Sequence, residues 1–253
     1  MIDRSLKQTL LTVSALEGLP VNCSKVGKQL GITCPAAKAR LQKLVEARAV
    51  WLLYPLEIPS GSIPAARTTG TTSTAGAAGA AGKIRKSPKL YLNPSARSLI
   101  SAMVTPGDSQ AKPAAVPSIQ FRSRMIRTVC TLESARRRSS TFWYYGGYGK
   151  NHVELIVQTP VKRIGFVFLD ENRFNRWSWS YCKRVFRQGI IQAAFVLYPG
   201  HRIFFVADRL VVLPVEEFCS RYRPWMNACL GSSRKLLLRM VRTYNTTNAG
   251  HLP

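Results

Sequence analysis

Residues 59–83 constrain the fold of this chain more than any other stretch. They are Gly, Ala, Ser, Thr and Pro with almost no large apolar residue, and with one charge, Arg67, ahead of Lys83. A segment of this kind cannot offset its ordering entropy by burial, so it reads as a disordered insertion. It parts two short apolar runs, Val50–Ile58 and Lys89–Leu92, whose aromatic and β-branched content predicts strands. Any hairpin made of these strands is therefore closed by a long, featureless loop.

The residues before this hairpin predict three helices. Leu6, Leu10, Val13 and Leu16 recur near the helical period over 4–17, and Gly18-Leu-Pro20 ends the run. A short helix is expected over 24–30, capped by Ser24 or Asn22 with Val26 and Leu30 inward. Gly31-Ile32 makes a tight turn. Thr33 then caps a third helix to about Ala47, with Pro35 in its first turn and Ala37, Leu41, Leu44 and Val45 inward. Helix, helix, tight turn, helix, hairpin is the order of a winged helix-turn-helix. A helix over 95–103 completes this first domain, 1–103, with the insertion 59–83 in its wing.

The end of the insertion, Gly82-Lys83, invites comparison with a phosphate-binding loop. That loop needs a second Gly five residues earlier and Ser or Thr after the Lys, because backbone amides cradle the phosphates and the hydroxyl holds magnesium. Here Ala77 and Ile84 occupy those two positions, Gly27-Lys28 leads to Gln29, and Gly149-Lys150 leads to Asn151. These departures argue against ATP hydrolysis. Lys83, Arg85, Lys86 and Lys89 read instead as a basic wing.

Charge narrows the class of partner. Lys and Arg number 37 against 12 Asp and Glu, a formal net charge of +25. Such a field attracts polyanions, with nucleic acid first and an anionic membrane surface second. Met1–Pro20 carries Asp3, Lys7 and Glu17 within an amphipathic pattern, and the apolar runs are too short to span a bilayer, so a soluble cytoplasmic protein without membrane attachment is expected. The six cysteines form no C-x-x-C pair and have no histidine at ligand spacing, which argues against zinc and for a reducing compartment. No cofactor and no metal is expected.

Residues 104–117 are a Pro-rich linker, and 118–222 read as a small α/β domain with a mixed sheet. A helix over 119–139 precedes strands at Phe142–Tyr145, His152–Gln158 and Arg163–Leu169. A helix over 176–188 follows, then strands at Ile190–Tyr198, Ile203–Ala207 and Leu210–Leu213. Gly146-Gly-Tyr-Gly149 is a turn. Trp143, Tyr144, Tyr145, Tyr148, Trp177, Trp179 and Tyr181 lie among Arg173, Arg176, Lys183, Arg184 and Arg187, a mixture that can stack bases but more often packs a core or its rim. The remainder, 223–253, is a basic tail carrying Arg234, Lys235, Arg239 and Arg242, helical and amphipathic at most.

This order of parts resembles the C-terminal half of a large group of prokaryotic AAA+ ATPases. There an ATPase module is followed by a winged helix and a domain of unknown function with a PD-(D/E)XK nuclease-like fold. The matching residues are Leu19–Ile32 in the helix-turn-helix, Lys86-Ser-Pro-Lys-Leu-Tyr-Leu92 at the second wing strand, and Trp143–Tyr145 with His152–Val157 in the second domain. The resemblance covers roughly residues 5–220, with gaps. It implies an α+β chain: a winged helix-turn-helix followed by a degenerate restriction-endonuclease-like domain, without the ATPase module.

The nuclease chemistry implied by that resemblance needs an Asp on one strand and an acidic-x-Lys on the next, to hold a divalent metal and polarise water. Glu154 stands at the Asp position, but Arg163–Leu169 contains neither acid nor Lys, and Asp170 and Glu171 come too late. Glu133 is the one candidate for a helical carboxylate. Both glutamates are read first as ion-pairing partners for the surplus cations.

The sequence therefore points to a non-catalytic nucleic-acid-binding protein, with double-stranded DNA as the partner. Lys25, Lys28, Lys38, Arg40 and Lys43 would contact phosphates or base edges beside the basic wing. A module that docks a separate ATPase or another protein is the alternative, and a residual nuclease using Glu133 and Glu154 is the weakest reading.

Overall fold

A computed structural model describes residues 3–57, 87–103, 117–136, 139–146, 152–170, 180–207, 209–231 and 234–247. The chain is α+β and divides into two units, one made of Met1–Pro55 with Arg85–Arg124 and one made of Leu56–Ile84 with Met125–Pro253. The 59–83 insertion and the turn at 146–149 fall almost wholly outside the described residues.

In the first unit α1 (Arg4–Ser14), α2 (Cys23–Leu30) and α3 (Cys34–Glu46) precede β1 (Val50–Pro55), β2 (Lys89–Leu92) and α4 (Pro94–Met103). Each of the first three helices has a side-chain cap: Asp3 Oδ1 accepts from Leu6 N at 2.8 Å, Asn22 Oδ1 from Ser24 N at 2.9 Å, and Thr33 Oγ1 from Ala36 N at 3.4 Å. Such caps satisfy amides that the helix itself leaves open. The inward residues Leu10, Val13, Val26, Ala37, Leu41 and Leu44 meet Val50, Leu90, Leu92 and Ile100 in one core. Each fully buried aliphatic side chain there contributes roughly 1.5–3 kcal/mol.

α1 stops at Ser14, short of the expected 17, because the next residues join the sheet. Glu17 and Pro20 bridge to Leu90 and Lys89, and the Gly18 and Val21 amides donate to Leu90 O and Pro88 O, both at 2.8 Å. β1 pairs antiparallel with β2 along its other edge, Val50 opposite Leu92 and Leu53 opposite Lys89. β2 is thus flanked on both sides, and all four of its residues are buried. The Glu17 carboxylate accepts from Leu92 N at 3.2 Å and pairs with Arg97, which fixes α4 to this corner.

The unit boundary falls within α5 (Pro117–Ser134). β3 (Thr141–Gly146), β4 (His152–Gln158), β5 (Arg163–Phe168), β6 (Ala193–Tyr198), β8 (Leu210–Pro214) and β7 (Phe204–Ala207) lie in that order in the sheet of the second unit. β3, β4 and β5 are antiparallel, β5, β6 and β8 parallel, and β7 antiparallel to β8. The parallel step from β5 to β6 is made through α6 (Ser180–Arg187), which buries Cys182 and Val185. α6 is described from Ser180, and residues 171–179, which include the expected start of this helix and Trp177 and Trp179, lie outside the described part. The strand expected from Ile190 begins at Ala193, because Ile190 and Ile191 turn into the core.

The other face of this sheet carries an aromatic cluster. Phe166, Phe195 and Phe218 have ring centroids 5.1–5.8 Å apart, and Phe218 meets Tyr222 edge-on at 5.2 Å. Edge and tilted geometries suit the ring quadrupoles. Phe218 lies on α7 (Val215–Ser220) and Tyr222 opens α8 (Tyr222–Leu230), which is followed by α9 (Arg234–Thr247). The described part of the stretch read as a basic tail is therefore helical and anchored: Trp225, Met226 and Cys229 are wholly buried, as is Leu237. Lys162 Nζ donates to Leu230 O at 2.5 Å, placing a cation at the negative end of α8.

Candidate nucleic-acid interface

The α2–α3 corner is built by close backbone approach. Gly31 ends α2 in the left-handed region at φ 65°, which a glycine adopts without a Cβ penalty. A Cβ on Gly27 would lie 2.7 Å from Ile32 O, so α2 meets the start of α3 only because no side chain intervenes. On this corner Lys25, Lys28, Lys38 and Lys43 are exposed and Arg40 is half-buried. None of the four lysines has a described carboxylate within ion-pairing distance. Nearby charge still registers: Asp3 is held below the usual carboxylate range by the Leu6 amide, then Ser5, with a smaller contribution from Lys43.

At about 100° per residue, the centre of the outer face of α3 falls to Pro35, Ala39, Gln42 and Glu46, with Lys38 and Lys43 on its two flanks. Gln42 Nε2 donates to Glu46 Oε1 at 3.3 Å. The helix thus offers cations at its margins and a small, polar middle. That arrangement suits a surface whose flanks hold two phosphate strands while its centre faces base edges.

The wing residues divide. Lys83, Arg85 and Lys86 lie outside the described residues. Lys89, expected on the basic surface, is buried at 6% exposure. Its strand is covered by β1 on one side and the 17–21 segment on the other, so it is removed from the interface.

The two candidate catalytic carboxylates have structural occupations. Glu133 is fully buried; Tyr222 O–H donates to Oε2 at 2.7 Å, Ser140 O–H to Oε1 at 2.9 Å, and Arg136 Nη1 lies 3.4 Å from Oε2. Glu154 sits at a β-bulge. Trp143 pairs with Ile156 but Tyr145 with Val153, so Glu154 and Leu155 together face Tyr144. Its Oε2 accepts from the Phe168 amide at 2.8 Å. Among the described residues no three His, Cys, Asp or Glu side chains are grouped to hold a metal. Asp170 is exposed at the end of β5.

One feature escaped the sequence reading. Of the nine acidic residues described, Glu17, Glu133, Glu154 and Glu217 are buried, and three of these pair with Arg97, Arg136 and Arg221. Along 3–57 the exposed cations are Arg4, Lys7, Lys25, Lys28, Lys38, Lys43 and Arg48, against exposed Asp3, Glu46 and Glu57. The cations expected on a basic, amphipathic tail helix lie on α9, where Lys235, Arg239 and Arg242 are exposed at i, i+4, i+7 spacing.

Comparison with known protein families, curated proteins and solved structures finds no match. Among the described residues no helix is long and apolar enough to cross a membrane.

Proposed function

We propose that this chain binds nucleic acid, with α2 and α3 as the helix-turn-helix of a winged helix and β1 and β2 as the base of its wing. The observation that carries the reading is the placement of charge. Four lysines are exposed on α2 and α3, and no described carboxylate lies within ion-pairing distance of any of them. The order of parts, which resembles that of the tails of prokaryotic AAA+ ATPases, supports the same reading. Double-stranded DNA is the partner this geometry favours, since a major groove about 12 Å wide admits one helix with cations toward either strand. The role is binding rather than cleavage, because Glu133 and Glu154 are held by protein donors. Six free cysteines, with Cys34 exposed, suit the reducing environment of the cytoplasm.

The test is duplex binding by fluorescence anisotropy between 50 and 200 mM salt, for the full chain and for K25A/K28A/K38A/K43A. Each lost phosphate contact lowers the log–log salt slope by about 0.9. A fall of about 2–4 in slope supports the assignment. Absence of binding near 100 mM salt, or binding indifferent to salt, overturns it.

A further inference from the structure

α9 carries a second cationic face, separate in the chain from the helix corner of the first unit. Lys235, Arg239 and Arg242 are exposed, whereas Leu237 and Val241 are buried. At about 100° per residue the three cations fall within a sector of about 60°, on the side of the helix away from the buried residues. The helix contains no Asp or Glu. No described carboxylate lies within ion-pairing distance of any of the three, in contrast to Arg221, which pairs with Glu217 at 3.3 Å. A helix needs only one polar face to remain solvated. Three of the exposed positions hold long cations in register, with none of the alternating carboxylates that usually stabilise a solvated helix through i, i+4 pairs.

We propose that this face of α9 is a second nucleic-acid contact, tracking the phosphate backbone. The charges extend over about 10.5 Å of helix axis at about 1.5 Å per residue. Phosphates of one strand recur about every 3.4 Å along a duplex, so the row matches the axial length of about three nucleotides. Its sector holds three cations and Thr246 with no acid, unlike the outer face of α3, where Ala39, Gln42 and Glu46 hold the centre. It therefore adds affinity and salt dependence rather than base reading. This rests on the nucleic-acid reading of the whole chain but assigns a different surface, and the two contacts reinforce each other if one molecule spans both.

The experiment compares four full-length proteins on a duplex and on a single-stranded oligonucleotide: the unaltered chain, K25A/K28A/K38A/K43A, K235A/R239A/R242A and the combination. Alanine at exposed helical positions preserves the helix, and circular dichroism with thermal melting establishes that each variant is folded. The α9 triple is expected to lower affinity on the order of 10–100-fold at about 100 mM salt and to reduce the salt slope by about 2–3. It should do so whether or not the first-unit lysines are present. If the triple binds like the unaltered chain while the quadruple loses affinity, the α9 contact is overturned and the first-unit interface stands. If the quadruple binds unchanged and the triple does not, the reverse holds. No nucleic-acid binding by the unaltered chain removes both. Loss confined to sedimentation with phosphatidylserine-containing vesicles shows that the face serves a membrane and also overturns the proposal.

Discussion

Glu154 Oε2 accepts the Phe168 backbone N–H at 2.8 Å across the point where β4 and β5 part. Their register is last recorded at Leu155 opposite Phe166. The Leu169 amide donates to Leu197 O on the β6 side at 2.8 Å, so by alternation the Phe168 amide faces β4. The bulge removes the carbonyl that would have received it, and the carboxylate substitutes for that carbonyl. Glu154→Ala leaves a buried amide without this partner and should cost about 1–3 kcal/mol, whereas Glu154→Gln keeps an oxygen there and should recover more than half of the loss. Urea midpoints measure both. An alanine variant as stable as the parent would show that the carboxylate has no structural role.

A second carboxylate anchors the end of α5. Tyr222 O–H reaches Glu133 at 2.7 Å while the Arg136 guanidinium lies 5.8 Å from the Tyr222 ring centroid and donates to Asn227 Oδ1 at 2.8 Å. Burial, and next the hydrogen bond to Glu133, push the Tyr222 hydroxyl far above the ordinary tyrosine range. Tyr222→Phe removes one donor to a buried charge and should cost about 1.5–3 kcal/mol. Glu133→Ala should cost about 3–5 kcal/mol, because Arg136 is left buried without its counter-charge. The double variant should be less destabilised than the sum, by 0.5 kcal/mol or more. Strict additivity in chemical denaturation would contradict the network.

What the sequence made legible follows from how local each signal is. Asn22, Thr33 and Gly31 act within a few residues of themselves, so the α2–turn–α3 corner could be read directly. Lys89 could not, because the residues covering its strand are Glu17–Val21, some seventy positions away in the chain. Period-two alternation places Glu154 on the same face as Ile156; the bulge breaks that count and turns Val153 toward Ile156 instead. In 223–253 the spacing of Leu237 and Val241 was visible, but two apolar residues do not reveal what they pack against.

The helix corner gives a prediction about two glycines with different reasons for being there. Alanine at Gly31 meets nothing within 4 Å but must adopt φ 65°, a cost of about 1–2 kcal/mol. Alanine at Gly27 keeps ordinary helical geometry yet places Cβ 2.7 Å from a backbone oxygen that a rotamer change cannot move. Gly27→Ala should therefore destabilise by about 1–3 kcal/mol and, by separating α2 from α3, also weaken duplex binding. Gly31→Asn, which tolerates the left-handed region, should leave binding intact. Equal binding by all three variants would mean that the spacing of α2 and α3 does not shape the interface.

Thiol chemistry tests the core of the second unit. Burial pushes Cys182 and Cys229 up to about 12 from an ordinary 9.0, and it raises Cys130 further. Thiolate is the reactive form, so near pH 8 exposed Cys34 should label first, and Cys182 and Cys229 only on unfolding. The same shifts make stability depend on pH. Between 9.0 and about 12 the unfolded chain loses these protons while the folded chain keeps them. The contribution is full below pH 9.0 and is lost as pH rises toward 12. Urea midpoints should therefore fall across that window, and Cys182→Ala should flatten the fall while lowering stability near neutrality through the small cavity it leaves. A midpoint that rises with pH over this range, or rapid labelling of Cys182 in the folded chain, would show that the thiol is not sealed beneath α6.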